Sequence, residues 1–257
     1  MTENQVLGID VGGSGIKGAI VDVSNGKLLT ERYRLPTPQP AKPKAVADIF
    51  KAVVNHFKYD GKIGVGFPAI VKNGVAHSAA NIDKKWLGTD IEKLLSGATG
   101  CPVYVRNDAD VAGIAEAQHG AAKKQKGIVI LLTIGTGIGS AIFNNGNLLP
   151  NSELGHLKFK ESIAEHYTAD SVRKREDLSW DEWGKRFNEY LQHLDRIFSP
   201  NLIVLGGGTS KKFDKFKAHI EVEAKVVPAK LLNHAGIIGA ASLVAIQAQK
   251  TLARSKE

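Results

Sequence analysis

Residues 6–18 run Val-Leu-Gly-Ile-Asp10-Val-Gly12-Gly13-Ser14-Gly15-Ile-Lys17-Gly18, and residues 128–140 restate the pattern half a chain later as Ile-Val-Ile-Leu-Leu-Thr133-Ile-Gly135-Thr136-Gly137-Ile-Gly-Ser140. Each apolar run reads as a buried strand emptying into a tight glycine turn. The first is followed by Ala19-Ile-Val-Asp-Val23, Ser24-Asn25-Gly26 and Lys27-Leu-Leu29; the second by Ala141-Ile-Phe143, Asn144-Asn-Gly146 and Asn147-Leu-Leu149. Both continuations read as strand, Asn-Gly hairpin turn, strand. Self-similarity on this scale predicts two related domains facing each other, each with one glycine turn. Glycine lets backbone approach an anion closely and aim several N–H groups at it, so a nucleotide or phosphate chain is the expected guest between them.

Two better-known phosphate motifs are excluded. Gly13-Ser-Gly15-Ile-Lys-Gly18 satisfies G-x-G-x-x-G, but a strand follows it rather than a helix, and the window around Gln39 holds no Asp or Glu for a ribose. G-x-x-x-x-G-K-[ST] occurs nowhere. At 257 residues and 43% hydrophobic composition the chain has material for one large or two modest domains. No window approaches 18 consecutive apolar residues and the first residues do not resemble a signal peptide, so the expected setting is cytoplasmic. The single Cys101 excludes an internal disulfide and any multi-cysteine zinc site. A net charge of +8, with basic clusters at Lys123, Lys124, Lys126, at Arg173, Lys174, Arg175 and at Lys211, Lys212, Lys215, Lys217, favours a polyanionic partner without choosing which.

Along the chain, four prolines in residues 34–43 predict an extended loop. Val46, Ile49, Phe50, Val53 and Phe57 fall at helical spacing, and residues 62–68 read as a buried strand stopped by Pro68. Thr89 with Glu92 predicts a capping box for a helix over 90–95, and Ser179 with Glu182 another for a helix whose inner face runs Trp183, Phe187, Tyr190, Leu191, Leu194, Phe198. Residues 102–106 predict a strand ending in Asn107-Asp108, with a helix from there to Gly120. A third strand, Leu202-Ile-Val-Leu205, empties into Gly206-Gly207-Gly208. Residues 235–252, rich in alanine, read as a helix packed closely on a sheet.

Three glycine turns supply backbone N–H groups but neither acid nor base. Phosphoryl transfer needs little beyond positioning, a metal and a group to accept the acceptor's proton. Asp108, at a strand tip, is the best-placed carboxylate for that proton; the alternative is an N-cap for its own helix. Asp10 could hold Mg²⁺, through water, beside the phosphates. Thr133 and Thr136 offer hydroxyls near the second turn. Glu153-Leu-Gly-His156 pairs a carboxylate with an imidazole, the mixed acceptor and donor set that sugar hydroxyls require.

Together, Asp10-Val-Gly-Gly-Ser-Gly-Ile-Lys-Gly18, Asn107-Asp108, residues 132–140, Glu153-Leu-Gly-His156 and Gly206-Gly-Gly208 resemble the ROK sugar kinases of the actin-like ATPase superfamily. Pro150-Asn-Ser-Glu-Leu-Gly-His156, residues 198–208, Val227-Pro-Ala229 and residues 233–240 are similar to the family's polyphosphate glucokinase subgroup. The resemblance implies an α/β, actin-like (RNase H-like) duplicated two-domain fold with an interdomain cleft, divided as residues 1–108 completed by a C-terminal helix over 236–257, and 109–235. It implies a glucokinase moving a phosphoryl group from inorganic polyphosphate, ATP or both to the 6-hydroxyl of glucose, with Mg²⁺, as a homodimer without nucleic acid or membrane partners. Carried over residue by residue, Asp108 is the general base, with Asn81, Asn107, Asp108, Glu153, His156 and Glu165 on the sugar. Asp10, Gly12, Gly13, Ser14 and Lys17 match the first phosphate motif, Thr133, Gly135, Thr136 and Gly137 the second, and Gly206, Gly207 and Gly208 the adenosine-side motif. Where many family members carry a cysteine-rich zinc motif this chain has Lys158-Phe-Lys-Glu-Ser162, so no zinc is expected. The alternatives are an ATP-only hexose or N-acylhexosamine kinase of the same fold, and a non-catalytic actin-like nucleotide-binding switch.

Overall fold

The computed structural model describes residues 4–80 and 82–254. The chain forms two compact units, Met1–Ala115 with His234–Glu257, and Glu116–Asn233.

The first unit runs β1 (Gln5–Gly12), β2 (Gly15–Asp22), β3 (Lys27–Leu28), β4 (Tyr33–Leu35), α1 (Pro43–His56), β5 (Ile63–Phe67), β6 (Val71–Lys72), β7 (Val75–Ala76), α2 (Ile91–Thr99), β8 (Val103–Asn107) and α3 (Asp108–His119) as far as Ala115, the last turn of α3 being counted with the second unit. Its main sheet is ordered β3-β2-β1-β5-β8, with β4 also on β2. β1 and β2 form an antiparallel hairpin, while β5 and β8 extend the sheet in parallel. α1 opens on Pro43, whose missing N–H costs nothing in the first turn, and buries Val46, Ala47, Phe50, Val53 and Val54 at helical spacing.

α2 departs from the predicted capping box. Asp90 is the cap, its side chain accepting from the Lys93 N–H at 2.9 Å, and the helix extends to Thr99. The Glu92 carboxylate instead accepts from the Val105 N–H in the middle of the next strand, 2.9 Å away. A carboxylate at position 90 is a better acceptor than the Thr89 hydroxyl, and the neighbouring strand offers Glu92 an amide of its own.

The second unit comprises β9 (Ile128–Ile134), β10 (Ile138–Asn144), β11 (Asn147–Leu149), the ribbon β12 (Lys158–Phe159) and β13 (Ser162–Ile163), α4 (Glu165–Thr168), α5 (Asp170–Arg175), α6 (Trp180–Phe198), β14 (Leu202–Gly207) and β15 (Lys225–Pro228). Its sheet is ordered β11-β10-β9-β14-β15, so the topology of the first sheet is repeated strand for strand. The Asn145-Gly146 turn places both residues at positive φ, 49° and 79°, as a two-residue hairpin of this twist requires. α6 carries the predicted capping box, with Ser179 and Glu182 bonding reciprocally, and buries Trp183, Phe187, Tyr190, Leu191 and Leu194.

α7 (Ala235–Arg254) returns to the first unit and packs on β1 and β5. Its approach is so close that a Cβ on Gly8 would fall 2.0 Å from the Ile237 carbonyl oxygen, and one on Gly64 1.7 Å from that of Ala240. Backbone therefore meets backbone, which is why the small residues of 235–252 are needed. Among the described residues no helix is long and apolar enough to cross a membrane.

Candidate active site

In the first unit, β1 delivers Asp10 two residues before its end, opposite Lys17 on β2 and Gly66 on β5. Lys17 Nζ donates to Asp10 Oδ2 at 2.9 Å. Glycines wall the carboxylate: a Cβ on Gly236, at the start of α7, would lie 2.8 Å from Asp10 Cγ. Three carbonyls of the adjoining turn are taken by side chains from β4 and the proline-rich loop that follows it. Thr37 Oγ1 donates to Gly12 O, Gln39 Nε2 to Gly13 O at 3.1 Å and Arg34 Nη2 to Ser14 O at 2.6 Å. Sequence reasoning missed these three residues; the one signal is their alternation with Pro36 and Pro38, which sets Thr37 and Gln39 on the same side of an extended segment. Gly13, Thr37, Gln39, Ala80, Ile82 and Asp83 line a cavity of about 280 Å³. Asn81 lies outside the described residues.

Asp10 is the first unit's candidate for a divalent cation. One carboxylate in a polar, glycine-walled recess fits Mg²⁺, which keeps most of its waters and takes further oxygens from phosphate, better than a metal needing a full protein cage. Among the described residues no group of three or more His, Cys, Asp or Glu is placed to hold a metal by itself.

β8 ends at Asn107 and α3 begins at Asp108 without an intervening loop. Asn107 Oδ1 accepts from the N–H groups of Ala109 and Asp110, at 2.9 and 3.2 Å, and its Nδ2 donates to Ala69 O. The buried Asn107 is thus the helix cap. Asp108, half-buried, accepts from the Ala109 N–H through Oδ1 at 2.8 Å. Asp108 is fixed on a rigid strand-to-helix junction by its neighbour's cap.

The second unit gathers three of the sequence candidates in one cluster. Leu154–His156 form a short 3₁₀ turn that sets His156 between two carboxylates. Its Nδ1 lies 3.7 Å from Glu153 Oε2 and its Nε2 3.4 Å from Glu165 Oε1. Glu165 Oε2 accepts from the Ile138 N–H at 3.0 Å, and a Cβ on Gly137 would strike the same oxygen at 2.5 Å, so Glu165 is seated against the second glycine turn. Burial pushes the Glu153 carboxyl above its ordinary value, assisted by the Glu165 charge and opposed by His156. Ser171, another residue with no sequence signal, ties α5 to the same turn through Gly135 O and Thr136 O. Thr136 is exposed at the turn's tip, and Thr133 on β9 sits opposite Gly206 on β14. Gly207 adopts φ 76° where a side chain would collide with Ile134 O, and Gly208 opens the following 3₁₀ segment.

The basic clusters differ in kind. Arg173 and Lys174 pair with Asp170, Arg175 with Glu176 and Lys217 with Asp214. Lys211, Lys212 and Lys215, just beyond the third glycine run, and Lys123, Lys124 and Lys126 are exposed and make no ion pair among the described residues.

Two duplicated sheets, each led by a glycine hairpin, with a carboxylate at a strand-to-helix junction, define an actin-like kinase architecture. The ROK family model matches residues 6–170, and the chain belongs to the ROK family. It is 46% identical to the polyphosphate glucokinase of Mycobacterium tuberculosis (strain CDC 1551 / Oshkosh), over 93% of this chain and 91% of that protein. It is 44% identical to the polyphosphate glucokinase of Mycobacterium leprae (strain TN), over 91% of this chain and 73% of that protein. Among solved structures, the inorganic polyphosphate/ATP-glucomannokinase from Arthrobacter sp. strain KM is 48% identical and superposes with a TM-score of 0.91, covering 95% of this chain and all of that one. The resemblance and the fold class read from the motifs are borne out.

Proposed function

We propose that the protein is a glucokinase that transfers a phosphoryl group from inorganic polyphosphate to the 6-hydroxyl of glucose. The observation that carries this is identity of 46–48% over nearly the whole chain with a polyphosphate glucokinase and a polyphosphate/ATP-glucomannokinase. In this reading Asp108 accepts the proton of the attacking hydroxyl, held in place by the Asn107 cap. Glu153, His156 and Glu165 orient the sugar: two carboxylates accept from hydroxyls, and the imidazole between them donates or accepts as its tautomer allows. Asn81 and Asn107 complete the proposed sugar contacts. The turns at 12–15 and 135–137 and the glycines at 206–208 present backbone N–H groups to the phosphoryl donor, where charge develops in the transition state. Mg²⁺ at Asp10 would supply neutralisation of phosphate charge when bound. Lys17, bonded to Asp10, adds a second positive group beside the first turn. A homodimer in the cytoplasm belongs to the same reading, as the family resemblance implies.

The test is a side-by-side rate measurement on glucose with polyphosphate and with ATP, on wild type and Asp108→Asn. The expected result is glucose-dependent consumption of polyphosphate, and a turnover about 10²- to 10⁴-fold lower in the variant with glucose still bound. Near-normal turnover of Asp108→Asn removes that residue as the base. No glucose-dependent consumption of either phosphoryl donor removes the kinase reading and favours a nucleotide-binding switch.

A further inference from the structure

The proline-rich segment after β4 is more than a connection. Together with Arg34 of β4 it lays three side chains along one glycine turn, so that three successive carbonyls, of Gly12, Gly13 and Ser14, are each held by a different side chain: Thr37, Gln39 and Arg34. The peptides of the turn are trans, and in a trans peptide the C=O of one residue and the N–H of the next point in opposite directions. Holding the Gly12 and Gly13 carbonyls toward the loop therefore turns the N–H groups of Gly13 and Ser14 away from it. Arg34 completes the clamp. A Cβ on Gly15 would lie 2.4 Å from its Nε and 2.7 Å from its Cζ, so the guanidinium occupies the place a side chain at 15 would take. Register puts Arg34 opposite Lys17, and Lys17 opposite Asp10, so the clamp is continuous with the candidate cation site.

The physical need for such a device is clear. A turn with glycine at 12, 13 and 15 has many backbone conformations within reach, and few of them direct neighbouring amides at one anion. Oriented dipoles stabilise charge well only when their orientation is set beforehand.

We propose that Thr37, Gln39 and Arg34 are positioning residues that preset the Gly13 and Ser14 amides for the donor's phosphoryl groups. The proposal rests on the phosphotransferase reading, since it takes the anion at this turn to be the phosphoryl donor.

The test uses the full-length protein with Thr37→Val, which keeps shape but loses the hydroxyl, Thr37→Ser, which restores it, and Gln39→Leu at an exposed position. Binding of tripolyphosphate is measured by calorimetry, alongside KM for the phosphoryl donor and for glucose. In Thr37→Val and Gln39→Leu the tripolyphosphate Kd and the donor KM are expected to rise about tenfold, the equivalent of one lost hydrogen bond. The glucose KM is expected to stay within about twofold, and Thr37→Ser to bind about as wild type does. Wild-type binding by Thr37→Val, no recovery in Thr37→Ser, an equal rise in the glucose KM, or a wild type that does not bind tripolyphosphate overturns the proposal. Should Thr37→Val fail to fold, Gln39→Leu decides by the same criteria. A wild type that binds tripolyphosphate but never phosphorylates glucose overturns the kinase reading instead, and the calorimetry still judges the clamp.

Discussion

Glu153 shows how a single side chain in the cluster ties structure to pH. Its carboxyl is held above the ordinary glutamate value of 4.5 mainly by burial, with Glu165 adding to the effect and His156 opposing it. The folded protein therefore binds the Glu153 proton more tightly than the unfolded chain does. That contribution to stability is fully present below pH 4.5 and is lost as pH rises through the folded value. Glu153→Gln cannot ionise, so its thermal midpoint relative to wild type is expected to improve as pH rises from 4 through the raised folded value of Glu153 and to level off above it. A difference that is flat or reversed across that range would show that the carboxyl is not held high. At this scale the sequence supplied Glu153 and His156 as a motif, because they are three residues apart on one turn. It gave no sign that Glu165 would reach the Ile138 N–H, 27 residues away.

At the scale of elements, the contact between α7 and the first sheet leaves no room for a side chain where strand and helix backbones meet. Gly64→Ala would force a methyl group against the Ala240 carbonyl at 1.7 Å, and neither strand nor helix can yield without opening the interface. A loss of about 3 kcal/mol or more is expected, read from urea unfolding. Gly97→Ala, on the exposed face of α2 with nothing within 4 Å of the added atom, is expected to gain about 0.5–1 kcal/mol by helix propensity alone. Equal effects at the two sites would mean that backbone contact does not govern the first. Which elements are legible follows from what fixes them. The α6 cap is settled within four residues, and the α7 stripe by the size of its own side chains. α2 misleads because Thr89 and Glu92 form a valid local pattern that the adjacent Asp90 and the Val105 amide outcompete.

For the molecule as a whole, charge separates the two candidate phosphoryl donors. A protein of net charge +8 with exposed lysines at 211, 212 and 215 releases counterions from a long polyanion, whereas ATP carries only a few charges. kcat/KM for polyphosphate is expected to fall steeply between about 50 and 200 mM salt and that for ATP much less, with a flatter polyphosphate slope when the three lysines are replaced by alanine. Equal slopes for both donors would remove the lysines from the polymer's path. The duplicated architecture itself was written in the chain: strand, glycine turn, strand and Asn-Gly turn are choices made by side-chain size, alternation and φ preference within a few residues, and the chain makes them twice. Tertiary structure alone decided which side chains serve those turns. Arg34, Thr37 and Gln39 on the first, and Glu165 and Ser171 on the second, reach their partners across 20 to 36 residues of chain. A hydrogen bond over that separation depends on where the fold brings two backbones together; the alternation of Thr37 and Gln39 with prolines puts them on one side of the segment and does not say what they reach.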